Sequence, residues 1–165
     1  MDFVYTFNPE FLIFFARIVV GFTMLHYGLP KVLDLTENAI EFSDMGFKPG
    51  MFWGTLVALV ECFGGIAVLL GFYVDFFAAL YAFQCMTSFF WKLKTEAEFF
   101  DYSYDLHLFA LCIFVIGWGP GLWALTESSG FVFLRWNVAI TTAVIAWSIA
   151  FMPEIFGKRY KKWRA

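Results

Sequence analysis

Two charged residues, Arg17 and Glu61, stand inside long apolar stretches of this sequence. At mid-membrane, each charge would cost roughly 2.5–3.5 kcal/mol to insert. Because an opposite charge on a neighbouring helix offsets that cost, we expect Arg17 and Glu61 to form a buried ion pair. Such a pair either fixes the register of two helices or faces a cavity, a proton route or a ligand, and both readings stay open at this point.

A second group of polar residues falls in a similar depth band nearer the other side: His26, Gln84, Ser88, Asp105 and His107. A quinone site needs a slot open to lipid and a few polar groups that hold carbonyl oxygens and exchange protons. Since histidine titrates near neutral pH, these residues form a candidate quinone or proton site. Helical spacing turns His107 away from Asp105, which argues against one compact constellation. Two histidines without Cys or Glu at ligand spacing predict no metal site.

The composition indicates that membrane helices position these residues. Hydrophobic residues make up 61% of the chain and charged residues 15%, whereas a soluble domain is about 45–50% apolar and about 25% charged. The apolar stretches approach the ~20 residues that a helix needs to cross a bilayer. We therefore expect an all-α integral membrane bundle. The charge pattern gives no indication of nucleic-acid binding, and no catalytic residue can be assigned.

Five apolar segments are predicted to span the membrane: residues 11–29, 51–70, 72–91, 99 or 105–118, and 131–152. Pro30 is expected to close the first span. Gly71 leaves room only for a tight turn, so the second and third spans should form an antiparallel hairpin. Between the first two spans, residues 35–47 are predicted to hold a short interfacial helix, with Thr36 or Asp34 as its cap.

The distribution of basic residues predicts the orientation, because cytoplasmic loops are enriched in Lys and Arg. With the N-terminus outside, the cytoplasmic side holds Lys31, Lys48, Lys92, Lys94 and the basic residues of the tail KRYKKWRA. We expect a multi-pass protein of the cell inner membrane with its C-terminus in the cytoplasm. The whole of 1–165 is predicted to be one transmembrane domain, with a core at about 11–127, an extra span at about 131–152 and a basic tail at 153–165.

Four short motifs occur in one order along the core. They are Arg17, Gly21, Gly28 and Lys31 in RIVVGFTMLHYGLPKVLD, then AIEFSDMGFKPG, then Gly64 and Gly65 in LVECFGGIAVLLGF, then Gly119, Pro120 and Gly121 in GPGLWALTE. Together they resemble the DoxX family of small integral membrane proteins, which includes the DoxD-type subunit of thiosulfate:quinone oxidoreductase. The resemblance covers roughly residues 12–127. The chain departs from it at Ala124-Leu125-Thr126, where the family has Ser-Leu-Asp.

The resemblance implies a four-helix core and an association with redox reactions. The first hypothesis is a membrane subunit of a redox-associated, quinone-linked complex, with other subunits and membrane lipids as partners. A non-catalytic accessory subunit that stabilises a large membrane complex, its lipids or its pigments is the alternative, and a small-solute transporter is a weaker one. No motif binds flavin, haem or iron–sulfur, so quinone or lipid are the candidate ligands. The chain is not expected to be catalytic alone.

Overall fold

A computed structural model describes residues 8–95 and 97–126, together with isolated positions between 137 and 148. The described part of the core consists of α-helices: α1 Pro9–Leu33, α2 Leu35–Asp44, α3 Gly50–Leu70, α4 Val74–Lys94 and α5 Phe99–Trp118. The predicted all-α membrane bundle is confirmed. The predicted span at 131–152 and the basic tail at 153–165 lie largely or wholly outside the described residues and stay predictions.

Helix α1 is longer than the sequence predicts, at both ends. Asn8 caps its start by accepting a hydrogen bond from Glu10 N at 3.0 Å, and the helix continues past Pro30 to Leu33. The prediction that Pro30 ends this helix was wrong. Proline removes a single backbone donor, and the last turn is held by other contacts, including those of Lys31 described below.

Asp34 separates α1 from α2 and serves both helices. Its backbone N–H donates to Pro30 O at 3.0 Å, and its side chain accepts from Glu37 N at 2.9 Å at the start of α2. Of the two predicted caps, Asp34 is therefore the one used. Helix α2 packs on α3, where Asn38 Nδ2 donates to Gly54 O at 2.7 Å. The short helix is confirmed, whereas its position at the membrane surface stays a prediction.

Helices α1, α3 and α5 are long and apolar enough to cross a membrane. Helix α4 contains more polar residues, but it covers the same thickness. Thr126 N donates to Gly71 O at 3.1 Å, so the segment after α5 lies beside the end of α3. Helix α4 joins that end to the opposite one, and its 21 residues extend over about 31 Å. We call these two ends of the bundle the Gly71 end and the Lys31 end.

Glycines set the distance between α1 and α3, which pack antiparallel. A Cβ at Gly28 would lie 2.5 Å from Cys62 N, and one at Gly65 would lie 2.7 Å from Leu25 N. Only a residue without a side chain allows backbones to approach this closely, as small-residue contacts between membrane helices do. The glycine-bearing faces of α1 and α3 therefore meet, and they place residue 28 opposite residue 61.

Candidate functional site

The shorter of the two ion pairs found among the described residues joins α1 to α3. Lys31 Nζ lies 2.7 Å from Glu61 Oε1 and 2.6 Å from Oε2. The Glu61 side chain is 6% exposed and that of Lys31 is 28% exposed. Because Gly28 lets the two backbones touch, the lysine one turn further along α1 reaches the carboxylate directly. The result is a charge-assisted ion pair held in an apolar bundle.

The predicted pair between Arg17 and Glu61 was wrong. Arg17 lies level with Gly71, where a Cβ would collide with Nη1, and its Nη2 donates to Trp123 O at 2.8 Å. Glu61 lies ten residues before Gly71, which is about 15 Å along α3. The error came from the depth of α1: the helix begins eight residues before Arg17, so its first two turns extend beyond the end of α3.

A second carboxylate, Asp105, is held between α4 and α5. Ser88 Oγ donates to Asp105 Oδ2 at 2.8 Å, and Lys92 Nζ lies 2.9 Å from the same oxygen. Gln84 lies one turn before Ser88 on α4, and its buried Oε1 has no hydrogen-bond partner among the described residues. The structure thus places three members of the predicted polar group on facing helices and adds Lys92 to them.

The two histidines of that group do not join it. His26 is exposed and packs beside Tyr27, with ring centroids 5.4 Å apart, while exposed His107 has its Nδ1 2.6 Å from Ser103 O. Both lie on outward faces of their helices. Within the described residues no group of three His, Cys, Asp or Glu side chains lies close enough to hold a metal ion.

Three tyrosines lie near the two acids, and two of them, Tyr27 and Tyr104, were missed by sequence reasoning. Tyr81 is 4% exposed and lies within electrostatic range of Glu61 and Tyr104. Tyr27 and Tyr104 interact through their side chains, with ring centroids 6.1 Å apart, and Tyr27 lies within electrostatic range of both Glu61 and Asp105. Their positions in the sequence could have indicated this placement, because Tyr104 directly precedes Asp105 and Tyr27 directly precedes Gly28.

The motif Gly119-Pro120-Gly121 lies away from this site, at the Gly71 end. Gly121 has a positive φ of 74°, and a Cβ there would lie 2.6 Å from Ile13 Cγ2. Leu122 N donates to Glu10 Oε2 at 2.8 Å. These contacts seat residues 119–126 on the two turns of α1 that extend beyond α3. We call this segment the 119–126 loop.

The fold and these buried ion pairs define a small helical integral membrane protein. Within that class, residues 12–92 match the family model DoxX, so this part of the chain carries a DoxX domain and the resemblance is confirmed over these residues. The match includes Gly21, Gly28, Lys31, Gly64 and Gly65 and ends before α5. No curated protein and no solved structure matches the chain.

Proposed function

We propose that this chain is the membrane subunit of a redox assembly, in which it handles protons beside a membrane quinone while partner chains carry the electron-transfer centre. The observation that carries the proposal is the pair Tyr27 and Tyr104. Their side chains are 44% and 40% exposed on the outer surface of the bundle, and Tyr27 lies within electrostatic range of the buried acids Glu61 and Asp105. Aromatic rings open to lipid, backed by groups that exchange protons, are what a quinone ring and its two carbonyl oxygens require.

The chemistry assigned to this chain is proton transfer. Reduction of a quinone to a quinol consumes two electrons, supplied by the partner chains, and two protons. The carboxyl groups of Glu61 and Asp105 can hold those protons, and the tyrosine hydroxyls can pass them to the quinone oxygens. Lys31 and Lys92 each form an ion pair with one of these acids, which offsets the cost of a carboxylate in an apolar surrounding.

The alternative is a non-catalytic accessory subunit, and one observation favours it. Lys31 and Glu61 lie beside the close contact at Gly28, so the pair fixes α1 against α3 whether or not a proton moves. Buried ion pairs often have this role of specifying an arrangement.

Gentle purification followed by mass spectrometry of bound chains and quinone tests the proposal. We expect stoichiometric partner chains and bound quinone, and recovery as a monomer without quinone would contradict it. In the purified assembly, Glu61→Gln should slow quinone reduction by about a hundredfold, the usual contribution of a positioned acid or base. Glu37→Gln makes the same change at an exposed site on α2 and should leave the rate unchanged. Full activity of Glu61→Gln would favour the accessory role.

A further inference from the structure

Arg17 is a buried cation whose hydrogen bonds are incomplete. The residue is 1% exposed, and Nη2 donates to Trp123 O, but Nε and Nη1 have no partner among the described residues. The Phe14 ring lies 5.6 Å from Cζ and contributes a cation–π contact. A buried guanidinium with two unsatisfied donors is strongly unfavourable unless an acceptor meets it.

The described acid that acts electrostatically on Arg17, Glu10, does not fill this role. Glu10 lies within electrostatic range of Arg17, but it forms no ion pair with it, and its Oε2 accepts from Leu122 N. The 119–126 loop covers the guanidinium from one side, and Gly71, with a left-handed φ of 76°, packs against Nη1 from the other, where a Cβ would collide with it. The site is thus enclosed, positively charged and short of acceptors.

We propose that Arg17 binds an oxoanion through Nε and Nη1 beneath the 119–126 loop. A guanidinium presents planar donors that match phosphate-like oxygens, and charge-assisted bonds of this kind are among the strongest. Arg17 lies level with the end of α3, which is about 31 Å long and so reaches from one headgroup region to the other. Both a lipid phosphodiester and a free oxoanion are available at that depth. The site is separate from the acids at the Lys31 end.

Thermal unfolding of the delipidated protein in detergent tests the proposal. We expect a saturable rise in melting temperature on adding either inorganic phosphate or micellar phosphatidylglycerol, measured against sodium chloride of equal ionic strength. A rise with phosphate identifies a free oxoanion, and a rise with the lipid only identifies a headgroup. The rise should be absent in Arg17→Gln and intact in Lys48→Gln, which removes a charge at an exposed position.

A second variant covers the case in which Arg17→Gln does not fold. Arg17→Lys keeps the positive charge but loses the planar donors, so the concentration of anion for half of the effect should rise about tenfold. The proposal is wrong if the wild-type protein responds to neither anion, or if the Arg17 variants respond as the wild type does. It is also wrong if Glu127→Gln destabilises as much as Arg17→Gln and no anion restores stability, because Glu127 would then be the counter-ion.

Discussion

Glu61 and Asp105 are both held by a lysine that is more exposed than the acid. The Lys31 and Lys92 side chains are 28% and 33% exposed, against 6% and 10% for their partners. A lysine can carry its ammonium group outwards on a long apolar stem, whereas a short carboxylate side chain cannot. Replacing the lysine therefore leaves a buried carboxylate without a partner, while replacing the acid leaves a cation that can still reach water or headgroups.

This asymmetry predicts unequal effects of two substitutions. Lys31→Met should lower the free energy of unfolding by about 3–5 kcal/mol, the range for stranding one partner of a buried pair, and Glu61→Gln should cost less. Unfolding in mixed micelles measures both. The double variant should recover part of the loss, with a coupling energy of about 1–3 kcal/mol. Equal losses of stability in the two single variants, or additive losses in the double variant, would contradict the conclusion that the more buried partner depends more on the pair.

Sequence reasoning identified Glu61 as an acid needing a partner but chose the wrong cation. Arg17 and Lys31 share a face of α1, so helical spacing could not distinguish them. The two residues differ in their depth along the bundle, and that depth depends on where α1 begins relative to α3. The polar residues before Phe11 and the proline at position 30 led to predicted bounds too short at both ends of α1. The register of α1 against α3 therefore could not be predicted.

The absence of a contact between Arg17 and Glu61 can be tested directly. Arg17→Gln and Glu61→Gln should have additive effects on the free energy of unfolding, within about 0.5 kcal/mol, because the two residues share no partner. A double-mutant cycle in the same micelles measures this. Coupling as large as that between Lys31 and Glu61 would restore the pair first expected from the sequence.

At the scale of elements, the contact between α1 and α3 depends on glycine at positions where side chains would meet backbone. The predicted bounds of α3, residues 51–70, agree closely with the structure, since Pro49, Gly50 and Gly71 mark them clearly. The glycine face was predictable from spacing. Which glycine met which residue was not, because that depends on the relative shift of two helices.

Gly28→Ala tests this contact. Alanine favours a helix by about 1 kcal/mol over glycine, but its Cβ would lie 2.5–2.7 Å from backbone atoms of Cys62 and Glu61. Overpacking of this kind costs about 1–3 kcal/mol, so we expect net destabilisation and a weaker coupling of Lys31 to Glu61. Val19→Ala, at a 47% exposed position of the same helix, should leave that coupling unchanged. Unaltered coupling in Gly28→Ala would show that the backbones do not touch.

At the scale of the whole molecule, the described helices form two groups. Helix α3 packs mainly on α1 and α2, and α4 packs mainly on α5, with fewer contacts between the groups. Both groups of helices end at the Gly71 end and at the Lys31 end. The orientation predicted from the basic residues can therefore be tested with one exposed residue at each end. Leu122 is 76% exposed at the Gly71 end, and Lys48 is exposed near the other end.

Single cysteines at these positions, in a variant lacking the native thiols, report the orientation. With the N-terminus outside, Leu122→Cys should react with a membrane-impermeant maleimide in intact cells. Lys48→Cys should react only after the membrane is permeabilised. The reverse pattern of labelling would place the N-terminus in the cytoplasm.

The bond from Arg17 to Trp123 has a consequence for the order of assembly. Each group of helices contains both members of its own ion pair: Lys31 meets Glu61 thirty residues later, and Lys92 meets Asp105. The bond of Arg17 spans 106 residues and joins the first helix to the segment after the last described one. During synthesis, α1 therefore enters the bilayer with an arginine whose carbonyl partner emerges from the ribosome only after α5. The hydrogen bond from Arg17 to Trp123, which closes the Gly71 end, is therefore the last of these polar contacts to form. A chain halted before residue 123 leaves that guanidinium without its protein acceptor.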